Sequence, residues 1–273
     1  GPSLRYSGLT ALDADGRRLP AWLETRNHDL LLRVDDTKAR YPLTIDPFIQ
    51  QAKLTTWWDG AASDFFGIGA ALSSDGNTAI AGADLADVGG NTDQGAAYVF
   101  TRSGSAWNLQ AKLIAADGAA GDLFGYFVAL SSNGNTAIAS AHSADVGGNA
   151  NQGAAYMFTR SGAVWTQQAK LIAADGAAGD QFGISAALSS DGDTAIAGAD
   201  YADGANAGQG AAYVFTRSGA AWSQQAKLTA ADGAASNYFG FSVVLSSDGN
   251  TAIAGAHFAD VGGNVSQGAA YVF

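Results

Sequence analysis

The chain has 273 residues, enough for one large or two small domains, and its 47% of hydrophobic residues supplies a sizeable core. With 25 acidic against 14 basic residues the net charge is −11, which repels the phosphate backbone of nucleic acid and anionic membrane surfaces alike. Cysteine is absent, which removes disulfides, thiolate zinc sites and cysteine nucleophiles, and no run approaches the roughly 20 apolar residues that insertion into a membrane as a helix requires.

The opening "GPSLRY" is not a signal peptide; Gly-Pro-Ser looks like the remnant of a cleaved tag, so an export signal is expected to have stood before it. Residues 1–50 read as strands: "LRYSGLTAL", "LPAWLETR", "DLLLRVDD" and "YPLTIDPFIQ". Basic residues concentrate here, seven of the fourteen falling between Arg5 and Arg40. This N-terminal β segment is one expected domain, and residues 51–273 are the other.

From residue 51 onward the chain repeats itself. Phe66-Gly67, Phe124-Gly125, Phe182-Gly183 and Phe239-Gly240 lie 58, 58 and 57 residues apart. Each unit holds four strand-like segments, in the first unit "GIGAALS" (67–73), "TAIAGA" (78–83), "GAAYVFTR" (95–102) and "WNLQAKLIA" (107–115). Ser-Asp-Gly or Ser-Asn-Gly separates strands one and two, and Arg-Ser-Gly separates three and four, both suited to tight reversals. Four antiparallel strands per unit describe a blade of an all-β propeller, in which neighbours bury the faces one sheet cannot bury by itself. The "FG" aromatic and the "YVF" of strand three are expected to fill the spaces between blades. Trp107, Trp165 and Trp222 recur at the start of strand four and read as packing residues.

"FGIGAALSSDGNTAIAGAD" (66–84) resembles the FG-GAP repeat, the blade of integrin α-subunit propellers and of many bacterial surface proteins, with "AGAD" standing where the family has Gly-Ala-Pro. The match recurs in all four units, Ser140 replacing the glycine in the second. The resemblance implies fold more than activity. Members of that family often bind calcium through an Asp-x-Asp-x-Asp-Gly loop between strands one and two. Here those loops are "SSDGN" (73–77), "SSNGN" (131–135), "SSDGD" (189–193) and "SSDGN" (246–250), without alternating carboxylates, so the usual site is not carried over.

The last unit stops at "AAYVF" (269–273), while "FIQQAKL" near the start is a spare fourth strand. The expected arrangement pairs the two and closes the ring, removing exposed edges; the rivals are a longer array of repeats and a ring completed by two chains. The first fifty residues then form a degenerate blade or end a preceding β-domain, and "YPLTIDPF" resembles a connector found ahead of repeat domains in bacterial surface proteins.

In a four-stranded meander the loops after strands two and four open on one rim, and the short hairpins on the other. Loops on a rigid scaffold carry function, so the first rim is the expected ligand surface. After strand two, Asp84, His142, Asp200 and His257 share one place, Asp87, Asp145, Asp203 and Asp260 a second, and Asn91, Asn149 and Asn264 a third. Each is either a ligand contact or a cap on its own loop. Asp117, Asp122, Asp175 and Asp180, after strand four, are the possible oxygen ligands for a calcium ion assembled across loops. "LTTWWDG" (54–60) carries Trp57 and Trp58 where later copies have Ala-Ala, which suits stacking on a sugar, anchoring a protein partner, or filling a gap.

Catalytic signatures are lacking: no phosphate loop, no His-Glu-x-x-His and no recurring Ser-His-Asp order. The expectation is a secreted or surface-attached, non-catalytic binding or adhesion module for a protein or glycan. A structural spacer that displays neighbouring domains is the alternative. A glycan-processing enzyme with a carboxylate pair is the weaker one.

Overall fold

In each repeat the first reversal is built by one serine and one acidic or amide side chain. Ser73 Oγ donates to Asp75 at 2.6 Å and accepts the Thr78 N–H at 2.9 Å, and Gly76 takes φ 65° to complete the turn. The same bonds recur at Ser131, Ser189 and Ser246. Local chemistry therefore fixes the register of strands one and two before any packing.

The computed structural model describes residues 9–26, 29–46, 52–56 and 59–273, and the chain divides into a unit ending at Lys53 and one starting at Leu54. In the first unit, β1 (Thr10–Leu12) lies between β2 (Arg18–Leu19) and β5 (Thr44–Asp46), while β3 (Ala21–Arg26) and β4 (Asp29–Val34) form a separate hairpin. The Asp13 carboxylate accepts the amides of Asp15 and Arg17 and so turns β1 into β2.

The second unit is four antiparallel sheets, one per repeat, each in chain order. They comprise β6 (Ala70–Leu72), β7 (Thr78–Ala83), β8 (Ala96–Ser103) and β9 (Ala106–Leu113); β10 (Val128–Leu130), β11 (Thr136–Ala141), β12 (Ala154–Ser161) and β13 (Val164–Leu171); β14 (Ser185–Leu188), β15 (Thr194–Ala199), β16 (Ala211–Ser218) and β17 (Ala221–Leu228); and β18 (Phe239–Leu245), β19 (Ala252–Ala256) and β20 (Ala269–Val272). The fourth sheet has three strands among the described residues. The expected closing strand is not found there, since residues 52–56 carry no strand and residues 47–51 lie outside the described residues.

Facing sheets share their cores. Ile80, Val99 and Leu113 of the first sheet pack against Phe124, Tyr156 and Phe158 of the second. Ile138, Met157 and Leu171 do the same to Phe182, Tyr213 and Phe215. In the first three repeats the FG phenylalanine sits edge-on to two aromatics of its own third strand, as Phe124 does to Tyr156 at 5.6 Å and Phe158 at 6.0 Å. Outer strands are linked as well: Trp165 Nε1 donates to Gln110 Oε1 across the interface at 2.9 Å, and Trp222 repeats this with Gln168 at 3.0 Å. The repeated tryptophans are thus packing residues, each with an arginine over its ring.

The FG-to-AGA spacing has a steric cause. The Phe-Gly backbone of one repeat lies across the sheet before it, so close that a Cβ on Gly82 would stand 1.8 Å from Gly125 O, and one on Gly198 1.8 Å from Gly240 O. Three backbone bonds fix each crossing; Gly121, Leu123 and Phe124 donate to the carbonyls of Thr92, Asp93 and Gln94 at 2.9, 3.2 and 2.8 Å. The regular first strand begins at Ala70, later than the expected residue 67, although Gly67 N still donates to Gly82 O at 2.7 Å and Gly69 O accepts the Gly82 N–H at 2.9 Å.

Candidate functional site

The loops after strands two and four meet on one rim. Asn91 Nδ2 reaches Gly118 O at 3.2 Å and Asn149 Nδ2 reaches Gly176 O at 3.1 Å, while the hairpin serines link to one another on the opposite rim, Ser74 N to Ser132 O and Ser132 N to Ser190 O. The first strands of all four sheets surround a cavity of about 580 Å³ lined by apolar side chains that include Ile68, Tyr126, Phe127, Ile184 and Phe241.

On the expected ligand rim many polar residues brace the loops. The carboxylates of Asp87, Asp145, Asp203 and Asp260 accept the amides of Asp93, Asn151, Gly208 and Ser266, each closing its own loop. Asn91, Asn149 and Asn264 donate to the neighbouring glutamines Gln94, Gln152 and Gln267. Trp57 and Trp58 lie outside the described residues.

The place shared by Asp84, His142, Asp200 and His257 is more unusual. Asp84, His142 and Asp200 are buried, and Asp84 Oδ1, His142 Nδ1 and Asp200 Oδ1 have no hydrogen-bond partner. Burial pushes the Asp200 carboxyl up to about 6, against the opposing pull of the Asp200 and Tyr201 amides. Burial also takes the His142 imidazole down to about 4, keeping it neutral against the ring of Tyr126 at 4.4 Å. His257, in the last repeat, is exposed instead.

The residues present do not fit a calcium cage. Lys170 and Lys227 occupy Asp117 and Asp175, each at 2.7 Å. Burial opposes ionisation of both carboxyls, yet these ammonium groups hold them below their usual range. Asp122 and Asp180 cap the amides of Ala119 and Ala177, and burial raises both. In the hairpin turn, bonds from Ser73 and Asn77 hold the Asp75 carboxyl down to about 2. Among the described residues no three histidine, aspartate or glutamate side chains converge at metal distance.

An aromatic cluster on this rim escaped the sequence reading. Around His257 stand Phe241 and Phe258, both with ring centres 4.3 Å away, and Tyr238, stacked at 5.9 Å; Tyr201 extends the row 4.9 Å beyond Tyr238. Tyr201, Phe241 and Phe258 are 47, 48 and 45% exposed. Beside them a cleft of about 360 Å³ is edged by Ser236, Asn237, Asp260 and Ser266. Tyr238 holds φ 54°, a conformation its predecessors Phe65, Leu123 and Gln181 also adopt. The available signal was the repeat alignment itself. The columns Phe65/Leu123/Gln181/Tyr238, Ile68/Tyr126/Ile184/Phe241 and Leu85/Ser143/Tyr201/Phe258 become aromatic together only in the fourth repeat.

The model of the FG-GAP repeat matches residues 48–100, 107–158, 165–215 and 222–273. No curated protein matches the chain. Among solved structures, that of Sqt1 from Saccharomyces cerevisiae is similar at TM-score 0.45 and 9% identity, over 72% of this chain and 44% of that one. The chain therefore spans less than half of that protein's chain.

Proposed function

Because this chain belongs to the FG-GAP repeat family, we propose that it is a non-catalytic, extracellular binding module that holds a protein or glycan partner on its loop rim. The observation that carries this reading is the row Tyr201, Tyr238, His257, Phe258 and Phe241, exposed apart from the half-buried Tyr238, beside a cleft edged by Asn237 and Asp260. Flat aromatic faces next to amide and carboxylate groups suit the apolar face and hydroxyl edge of a sugar, or the anchor side chain of a protein. Net charge of −11 favours neutral or cationic partners over nucleic acid. No helix among the described residues is long and apolar enough to cross a membrane.

Glycan and extracellular-protein arrays test the proposal. Binding should weaken at least about tenfold, roughly 1.4 kcal/mol, in Tyr201→Ala and in Phe258→Ala, both exposed enough to leave the fold intact. Equal binding by parent and variants would remove the site. The spacer reading has its own support in the braced Asp and Asn residues of the other loops, and it predicts no ligand on either array.

A further inference from the structure

The first reversal of each repeat is one turn built four times, with a single chemical exception. Where the first, third and fourth repeats hold Asp75, Asp191 and Asp248, the second holds Asn133, and Asn133-Gly134 is the one Asn-Gly step of the chain. All four side chains are exposed, and all four accept the same two bonds. Asn133 Oδ1 accepts the Ser131 hydroxyl and the Asn135 amide, both at 2.9 Å. In the sister turns the serine bond is shorter, at 2.6, 2.5 and 2.5 Å, as a charged acceptor makes it. Those bonds, the serine's first, hold the Asp75 carboxyl down to about 2 and keep Asp191 and Asp248 below the usual carboxylate range. The turn is therefore shaped for a carboxylate, and only the second repeat offers it an amide.

Asn133 also stands where an asparagine side chain is open to attack by the next backbone nitrogen. Gly134 puts no side chain beside that nitrogen. Asn135, equally exposed and two residues on, is followed instead by Thr136, whose branched side chain crowds the approach. In the closed turn the Gly134 N–H donates to Ser131 O at 2.9 Å, so attack follows local opening of the hairpin tip.

We propose that Asn133 is a self-modification site, at which the chain deamidates to the aspartate that its three sister turns carry. Gly134 N gives its proton to solvent base and bonds to Asn133 Cγ; the Cγ–Nδ2 bond breaks, and ammonia leaves with a proton from water. Water then opens the five-membered imide. Breaking its bond from Gly134 N to Cγ yields aspartate, and breaking its bond from Gly134 N to the main-chain carbonyl carbon yields isoaspartate. The net change is amide and water to acid and ammonia, with no oxidant or reductant. Aspartate restores both bonds of the turn with the charge the turn favours. Isoaspartate lengthens the main chain by one carbon between Ser131 and Asn135, the two donors, and breaks their convergence. Because isoaspartate can close to the imide again, the folded hairpin accumulates aspartate.

The test is ageing of the folded chain at mildly alkaline pH, read by peptide mass mapping with enzymatic detection of isoaspartate. The same chain in urea, Asn133→Gln and Asn133→Asp are run beside it. Amide loss at Asn133 should be at least about tenfold faster than at Asn135, whose next residue is branched. The aspartate-to-isoaspartate ratio should be higher in the folded chain than in urea. Asn133→Gln should show no loss at that position, and the aged parent should reach the mass and melting temperature of Asn133→Asp. Loss at Asn133 no faster than at Asn135, or an isoaspartate fraction in the folded chain equal to or above that in urea, overturns the proposal.

Discussion

Replacing Asp200 by Asn isolates a cost built into the loop rim. Asp200 is 3% exposed, and one of its carboxylate oxygens has no partner. Its folded pKa of about 6 against an ordinary 3.8 means that the folded state prefers the proton. A raised carboxyl pKa leaves stability intact at pH below 3.8 and erodes it as pH climbs through 6, because ionisation is then easier in the unfolded chain. The gap from 3.8 to about 6 corresponds to a penalty of at most about 3 kcal/mol above pH 6. Asn preserves the shape and an acceptor for the Tyr201 amide but cannot ionise. Measured by urea unfolding, Asp200→Asn should match the parent near pH 4, where the buried carboxyl also carries a hydrogen, and gain about 1–3 kcal/mol by pH 8. A difference that is constant from pH 4 to 8, or that favours the parent at pH 8, refutes the argument.

Gly82→Val should cost at least about 3 kcal/mol in chemical denaturation, since its Cβ would stand 1.8 Å from Gly125 O; Gly255→Val, with nothing nearer than 3.9 Å, should cost less than about 1 kcal/mol. Ile138→Ala empties a fully buried position and should cost about 2–5 kcal/mol, while Ile253→Ala, 44% exposed on the last sheet, should cost under about 1 kcal/mol. Equal costs within either pair would contradict the packing described.

Sheets, reversals and repeat boundaries were legible in the sequence because each rests on local chemistry. Ser73, Asp75 and Gly76 define a turn by themselves, and the unbroken apolar run with Tyr, Val and Phe in "AAYVFTR" defines a strand buried on both faces. The rim was legible from strand parity. Roles at the rim were not, because they depend on contacts between loops distant in the chain: Asp117 reads as a free carboxylate until Lys170, 53 residues later, is seen beside it. Likewise Asp84 and His142 read as ligand contacts or loop caps, and the sequence did not show that both are buried with an unpartnered polar atom. The aromatic row joins Tyr201 with residues of the next repeat, so it exists only once two repeats are stacked. Closure by "FIQQAKL" followed from counting strands, and residues 48–51 of that segment lie outside the described residues.

Amide hydrogen exchange, resolved by residue, tests most directly whether the Phe-Gly pairs of the second, third and fourth repeats are bound to the sheet before them. The amides of Phe124, Phe182 and Phe239, each bonded to the carbonyl of a preceding Gln at 2.8–3.0 Å, should be protected at least about a hundredfold more than that of Phe66, which has no such partner among the described residues. Equal exchange at all four phenylalanines would contradict the stacked-repeat architecture.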